Sequence, residues 1–359
     1  MSSRESGVVV YRNSLEACGI DAIDEYSRRL TGALCEAGSP ASYVDRGLTN
    51  VLAGAPPRWI LLQYNPFSYG RRGFAPGLLR DAMRVRRRWP QAPFVVTVHE
   101  HEAWVRSMSD WRSTLMGAYQ RAQMRLLLRM VDGVIVVRET LGRELGTACT
   151  HIPVGSNITP VPVTAEEARA RLGLSGMLVL ALFGRGNPAR ALDHAESAIE
   201  ALSSARGADG ICVLNLGSGS PIPAVPAGVQ IRTPGALSGG ELSLHLRASE
   251  LLLLPFTDGM STRRTTLMAG LAHGLPVIGL QGVNTDRILI QHIDTMVLTP
   301  CGDVDAYAHA VVRLILDPTR RQAVGRAGRS LYERNFDWPV LAQMVLKALS
   351  DASAARRAS

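Results

Sequence analysis

The sequence predicts an α/β chain built from two doubly wound parallel sheets. Three observations carry that reading. The chain has 359 residues, too long for one ordinary core and suited to two domains of roughly 150–200 residues each. Short apolar runs alternate with longer helix-like stretches along its whole length, the rhythm of parallel strands covered on both faces. A stretch rich in Pro, Gly and Ser, without a strong period, lies near 153–175 and parts the runs into two series.

The first series comprises 7–11, 59–64, 94–100 and 133–137, with a shorter run at 149–154. The second comprises 177–183, 211–216, 250–256, 275–280 and 295–298. Each is short, β-branched or Leu-rich, and bounded by Gly, Pro, Asn or Asp. Between the series, TAEEARARLGL reads as a helix capped by Thr164 with acids in its first turn. Trp338, Val340, Leu341, Met344 and Val345 recur at helical spacing, so 337–350 is expected to pack as a helix and 351–359 to be a disordered tail. The expected domains are then 1–160 and 161–336.

Composition excludes several classes. With 46% apolar and 19% charged residues the chain is globular. Aromatics are 5%, without interleaved basics, which argues against a platform for single-stranded nucleic acid. There is no run of 18 apolar residues and no signal-like N-terminus, so a cytoplasmic protein is expected. The net charge is +8, and Lys347 is the only lysine; the arginine excess fits an anionic ligand such as phosphate, or a solvated basic surface. Five scattered cysteines without a CxxC pair speak against a disulfide framework or a structural zinc site.

Four loops following apolar runs are candidates for chemistry, because open parallel sheets bind ligands at the carboxyl ends of their strands. In FGRGNPARALD, Gly184 and Gly186 allow a tight turn, and Arg185 and Arg190 supply fixed positive charge near a helix start. The same residues match G-x-G-x-x-A, but the next run ends at Asn215-Leu216-Gly217 without the acid that a dinucleotide-binding strand carries. In LLLLPFTDGMSTRR, Ser261 or Thr262 is expected to cap a helix. Two cations, Arg263 and Arg264, then fall where the helix dipole disfavours them, which a bound anion would explain. In FVVTVHEHEAW, His99 and His101 end a strand on one side, with Glu100 and Glu102 between and after them; HExxH fails because Ala103 replaces the second His. In CGIDAIDEY, Gly19 breaks the chain before a helix with an acidic first turn, where Asp21 and Asp24 either bind an acceptor or favour the helix dipole.

The chain resembles GT-B fold glycosyltransferases, and specifically the retaining, nucleotide-sugar-dependent glycosyltransferase family four. The resemblance is carried in order by CGIDAIDEYSRRL, VVTVHE, VDGVIVVRETLGREL with HIPVGSNI, LALFGRGNPARALD, ASELLLLPF, MAGLAHGLPVIGL and YERNFDWPVLAQMVLKAL. It implies two Rossmann-like domains facing a cleft, an acceptor domain first and a nucleotide-sugar donor domain second, with the C-terminal helix crossing back to the first. Arg185 matches the family's diphosphate-binding Arg, Arg190 stands at the position of its Lys, and His99 matches its cleft His. The glutamate pair of most members is absent: its second position falls on Ala269 and its first near Ser261, in a loop that resembles a subgroup reading Asp-Gly-x-Ser-x-Arg-Arg.

The implied activity is transfer of a sugar from a nucleoside diphosphate such as UDP to a hydroxyl or amino acceptor. It proceeds with retention and needs no metal, as in natural-product or glycan biosynthesis. His99, Arg185 and Arg190 are the expected catalytic residues. The donor is expected on Gly19, Gly184, Arg185, Arg190, Gly217, Ser261, Thr262, Arg263 and Arg264. The acceptor, a small molecule or glycan, is expected on Asp21, Tyr64, Glu100, His101 and Trp104, with 65–74 and 104–111 shaping its pocket. No cofactor beyond the co-substrate and no nucleic-acid partner is expected; a homodimer is allowed. The alternatives are a sugar-nucleotide epimerase of the same architecture and a catalytically silent nucleotide-sugar binder.

Overall fold

The computed structural model describes residues 6–11, 21–100, 111–184, 186 and 189–358. The chain divides into two units, residues 1–155 with 338–359, and residues 156–337.

The first unit contains β1 (Gly7–Val10), α1 (Ala22–Glu36), β2 (Ala41–Val44), α2 (Leu48–Leu52), β3 (Ile60–Tyr64), α3 (Pro66–Tyr69), α4 (Pro76–Arg88), β4 (Phe94–Val98), α5 (Trp111–Leu128), β5 (Gly133–Val136), α6 (Glu139–Leu145) and β6 (Thr150–His151). Its parallel sheet has the order β2-β1-β3-β4-β5-β6. β3 and β4 are buried at every position, which is why both read as unbroken apolar runs rather than alternating ones. The run expected at 149–154 narrows to the two residues of β6.

The second unit contains α7 (Ala165–Leu172), β7 (Leu178–Phe183), α8 (Leu192–Arg206), β8 (Ile211–Leu216), β9 (Gln230–Arg232), α9 (Gly239–Ala248), β10 (Leu251–Leu254), α10 (Thr265–Ala272), β11 (Val277–Gln281), α11 (Arg287–Gln291), β12 (Val297–Pro300), α12 (Val304–Leu316) and α13 (Pro318–Asn335). All neighbours in its sheet are parallel, in the order β12-β11-β10-β7-β8-β9. This is the order of a nucleotide-binding doubly wound sheet: the chain runs outward from β7 to one edge, then returns to β10 and runs to the other. Ile199 and Leu202 of α8 and Val311 and Leu314 of α12 share one core with Leu180, Leu182, Leu251 and Leu253. Thr164 caps α7 with a complete capping box to Glu167, as the sequence predicts.

The chain then rejoins the first unit through α14 (Trp338–Ala358). Leu341, Ala342, Val345, Leu349 and Ala352 are buried at helical spacing, and Trp338 packs against Tyr26 of α1 with ring centroids 5.5 Å apart. The expected disorder at 351–359 is corrected, because the helix continues to Ala358. Two features extend it: SDASAARRA is rich in helix formers, and Arg356 meets the buried carboxylate of Asp132. Two strands were not expected from the sequence, β2 and β9. Both are sheet edges with little burial and therefore without an apolar run.

Candidate functional site

In the second unit the reversal of strand order falls between β7 and β10, and the loops after these strands meet there. Backbone bonds join them: Ala191 N–H donates to Pro255 O at 2.8 Å, and Thr257 N–H to Ala189 O at 2.8 Å. Arg190 and Phe256 form an antiparallel bridge. The loop after β8 completes the crevice. Ser220 Oγ donates to Gly184 O at 2.6 Å and accepts from Arg190 Nη1.

Glycines make this convergence possible. Gly184 (φ 140°) and Gly217 (φ 120°) end β7 and β8 in the left-handed half of backbone space. A Cβ on Gly186 would fall 2.5 Å from Gly219 O, and one on Gly184 would touch Thr266 in the first turn of α10. The loop after β7 therefore faces the N-terminus of a helix, where unpaired N–H groups favour an anion. This agrees with the glycine-turn reading of FGRG.

Arg190 is buried, and burial depresses its pKa from the ordinary guanidinium value. Its Nη2 is buried without a hydrogen-bond partner among the described residues. A buried, unpaired guanidinium nitrogen is costly and asks for an acceptor.

The loop from Phe256 to Arg264 differs from the sequence expectation. Neither Ser261 nor Thr262 caps a helix. α10 starts at Thr265, its N-cap is Arg264, and no side chain caps it. Thr262 instead gives both its backbone N–H and its hydroxyl to Asp286 Oδ2, at 2.6 and 2.7 Å. Ser261 Oγ is buried without a partner among the described residues. The sequence pattern missed Asp286 as the partner of Thr262, because it lies 24 residues downstream.

Asp258 holds both arginines. Arg264 Nη2 donates to Asp258 Oδ1 and Arg263 Nη2 to Asp258 Oδ2 at 3.3 Å; Asn284 Nδ2 adds a bond to Oδ2 at 3.1 Å. Arg264 also lies over the Phe256 ring, 3.6 Å from its centroid. Burial acts to raise the Asp258 pKa, but Arg264, Asn284 and Arg263 together hold it below the usual carboxylate value. The carboxylate thus stays ionised between the two guanidiniums, beside the α10 N-terminus. Asp258 and Asn284 were not singled out by the sequence reading; the Asp of the DGMSTRR pattern was the available signal for the first of them.

In the first unit the strand order reverses between β1 and β3, and the described residues of that edge form a second polar cluster. Tyr11 Oη donates to Asp21 Oδ2 at 2.7 Å and shares a 2.6 Å hydrogen bond with Ser68 Oγ. Asp21 is the N-cap of α1, accepting from Ile23 N–H at 2.9 Å, so its dipole-favouring role is realised. His99, at the end of β4, is buried; Nε2 lies 2.8 Å from Gln63 Oε1, and Tyr26 meets the ring edge-on at 5.3 Å. Burial pulls its pKa down to about 3, so the imidazole is neutral. Glu100 follows it, half-buried.

Tyr64, expected to contact an acceptor, is a core residue. It has no exposed surface, stacks on Tyr69, and accepts from Gln123 Nε2 at 3.1 Å. The correction follows from β3, a central strand covered on both faces. Gly19, His101, Trp104 and Arg185 lie outside the described residues. Among the described residues no cluster of three or more His, Cys, Asp or Glu side chains could hold a metal ion, and no helix is long and apolar enough to cross a membrane.

No family model matches the chain. A GDP-mannose-dependent alpha-(1-6)-phosphatidylinositol monomannoside mannosyltransferase of Mycobacterium tuberculosis is 25% identical over 256 residues, 64% of this chain and 66% of the relative. The match thus spans just under two thirds of that relative's length. Among solved structures, the sucrose-phosphate synthase of Thermosynechococcus elongatus aligns with 98% of this chain and 100% of its own, at 17% identity and a TM-score of 0.68. Anabaena HepE in complex with UDP and glucose aligns with 96% of this chain and 99% of its own, at 13% identity and a TM-score of 0.64. These likenesses show a GT-B-like architecture of two Rossmann-like parallel-sheet domains, with the C-terminal helix returning to the first.

Proposed function

We propose that the chain is a glycosyltransferase that binds a nucleoside diphosphate sugar at the β7–β10 crevice of its second unit and transfers the sugar to a hydroxyl or amino acceptor. The observation that carries the proposal is the convergence there of Arg190, whose buried Nη2 has no partner among the described residues, the Arg263–Arg264 pair, and the N-terminus of α10. The matched relative is named for a GDP-mannose-dependent mannosyl transfer, and a structural neighbour carries UDP and glucose; both support a nucleotide-sugar donor.

As the glycosidic bond breaks, negative charge grows on the departing diphosphate. Guanidinium groups match phosphate oxygens in a two-point fork, and among the described residues nothing occupies Arg190 Nη2. Fixed cations in a partly dry crevice stabilise the leaving charge without reorganising at the moment of reaction. In this proposal they supply the charge that a divalent ion supplies elsewhere, and the reaction proceeds with retention. Asp258 keeps Arg263 and Arg264 aimed before the donor arrives. His99, neutral through burial, offers the first unit a hydrogen-bonding group rather than a cation.

Calorimetric titration of UDP and GDP into the wild type and into Arg190→Ala and Arg263→Ala tests the reading. Affinity for at least one nucleotide is expected to drop by roughly tenfold or more in each variant, the loss of a charge-assisted contact. Undiminished affinity in both variants would remove the crevice from consideration as the diphosphate site. Assay of sugar release with and without added acceptors then separates transfer from epimerisation and from silent binding.

A further inference from the structure

We propose that the α4–α5 face of the first unit docks on an anionic membrane surface. This surface is separate from the crevice described above and does not depend on its function.

Four large apolar side chains are exposed among the described residues of the first unit, and all four belong to this region: Phe74 at 52%, Met83 at 46%, Leu115 at 60% and Leu126 at 46%. On α5, Leu115, Tyr119, Ala122 and Leu126 recur at i, i+4, i+7 and i+11, which sets them in one stripe along the helix. Phe74, just before α4, joins that stripe by packing on Tyr119 with ring centroids 4.4 Å apart. The opposite, inner side of α5 is buried through Gln120, Gln123, Met124 and Leu127, so the stripe is a second apolar face that the unit's own core does not use. Met83 stands on the outer side of α4, away from the buried Leu78, Ala82 and Val85.

Among the described residues of α4 and α5, positive charge predominates. α4 carries five arginines and α5 three, against the single carboxylate of Asp81. Asp81 is occupied: it takes Thr49 Oγ1 at 2.8 Å and pairs with Arg80 and Arg84 at 3.2 and 3.5 Å. Arg86 turns to Asp132. Arg87, Arg88, Arg125 and Arg129 remain exposed around the apolar residues. Arginines ringing exposed Leu, Met and Phe form the pattern of a helix face that lies in the headgroup region of a bilayer, side chains dipping into the acyl boundary and guanidiniums meeting anionic headgroups. Duplex nucleic acid would use the arginines and leave the stripe wet. A second copy of the chain would bring the same positive charge against itself.

Full-length protein is mixed with vesicles of phosphatidylcholine alone or with added phosphatidylglycerol, and bound protein is measured by co-sedimentation at low and at physiological salt. The expected result is binding only to the phosphatidylglycerol vesicles, weakened by salt. It is expected to fall by about tenfold or more in Arg87→Glu/Arg88→Glu and also to fall in Leu115→Ser/Leu126→Ser. All substituted side chains are exposed, and unchanged thermal unfolding verifies that the variants fold. Failure of the wild type to bind phosphatidylglycerol vesicles at low salt overturns the proposal. So does binding that the serine variant leaves untouched, which is adsorption by charge alone. Concentration-dependent dimerisation in sedimentation velocity that the serine variant abolishes overturns it in favour of a second copy.

Discussion

Arg356 Nη1 lies 3.0 Å from Asp132 Oδ1, a residue 224 positions earlier in the chain. Asp132 also accepts a two-point fork from Arg86, at 2.7 and 2.8 Å, and the Phe94 backbone N–H at 2.8 Å. One nearly buried carboxylate thus ties the end of α4, the start of β4, the start of β5 and the end of α14. Asp132→Ala is expected to cost about 3–5 kcal/mol, because it strands partly buried guanidiniums. Arg356→Ala is expected to cost about 1 kcal/mol, since the Arg86 fork remains. Urea unfolding of both variants checks the order; equal costs would contradict it.

Removal of residues 338–359 strips Leu341, Val345 and Leu349 from the core of the first unit. The expected outcome is loss of the first unit's cooperative unfolding transition, with that of the second unit unmoved. Calorimetry resolves the two. A shortened chain whose first transition survives unchanged would refute the assignment of α14 to that core.

Asp258 and Arg264 form an ion pair with both side chains about nine-tenths buried. Asp258→Ala leaves two guanidiniums without their shared acceptor and is expected to destabilise the second unit by about 3–5 kcal/mol. Arg264→Met in the same chain is expected to recover at least half of that loss, because an apolar chain can rest on the Phe256 ring. A double variant no more stable than Asp258→Ala would show that the cost arises elsewhere.

Gly259 sits at φ +91°, and a Cβ there would fall 2.6 Å from Gly282 N and 2.5 Å from Thr285 Oγ1. Gly38 sits at φ +81° in open space. Both Gly→Ala changes incur about 1–2 kcal/mol of left-handed strain. Gly259→Ala adds a clash against backbone and is expected to cost at least about 1 kcal/mol more. Denaturant midpoints of the two variants measure the difference directly.

His99 is pushed down to about 3 by burial, from an ordinary value near 6.5. Between these values the unfolded chain binds a proton that the folded unit refuses, so stability is full above 6.5 and falls as the pH drops toward 3. The slope from this residue is at most about 1.4 kcal/mol per pH unit. His99→Gln is expected to flatten the acid limb of the first unit. His273, also held low at about 4, acts in the same direction in the second unit and leaves that unit's acid limb unchanged in the variant. Identical first-unit slopes in wild type and variant would rule out His99 as the titrating group.

Local pattern reached far into this molecule. The central strands were legible because burial on both faces leaves uninterrupted apolar runs, as in LLLL of β10. The Thr164 cap was legible because a capping box is closed within four residues. β2 and β9 were not, since an edge strand is held by its neighbour's backbone and needs no apolar signature. The expected cap at Ser261 or Thr262 failed because α10 starts only at Thr265, and where a helix begins is fixed by the fold around it; Thr262 is held by Asp286 instead.

The amino-acid order by itself determined which segments must be buried, how many sheets they make, and which loops carry glycine and arginine. Those are properties of side-chain chemistry over short spans. Tertiary structure alone decided that Asp258 clamps both arginines, that Arg190 is buried against Ser220, and that Arg356 ends its helix on Asp132. A charge finds its partner through distance and desolvation, and neither is set until the chain has folded.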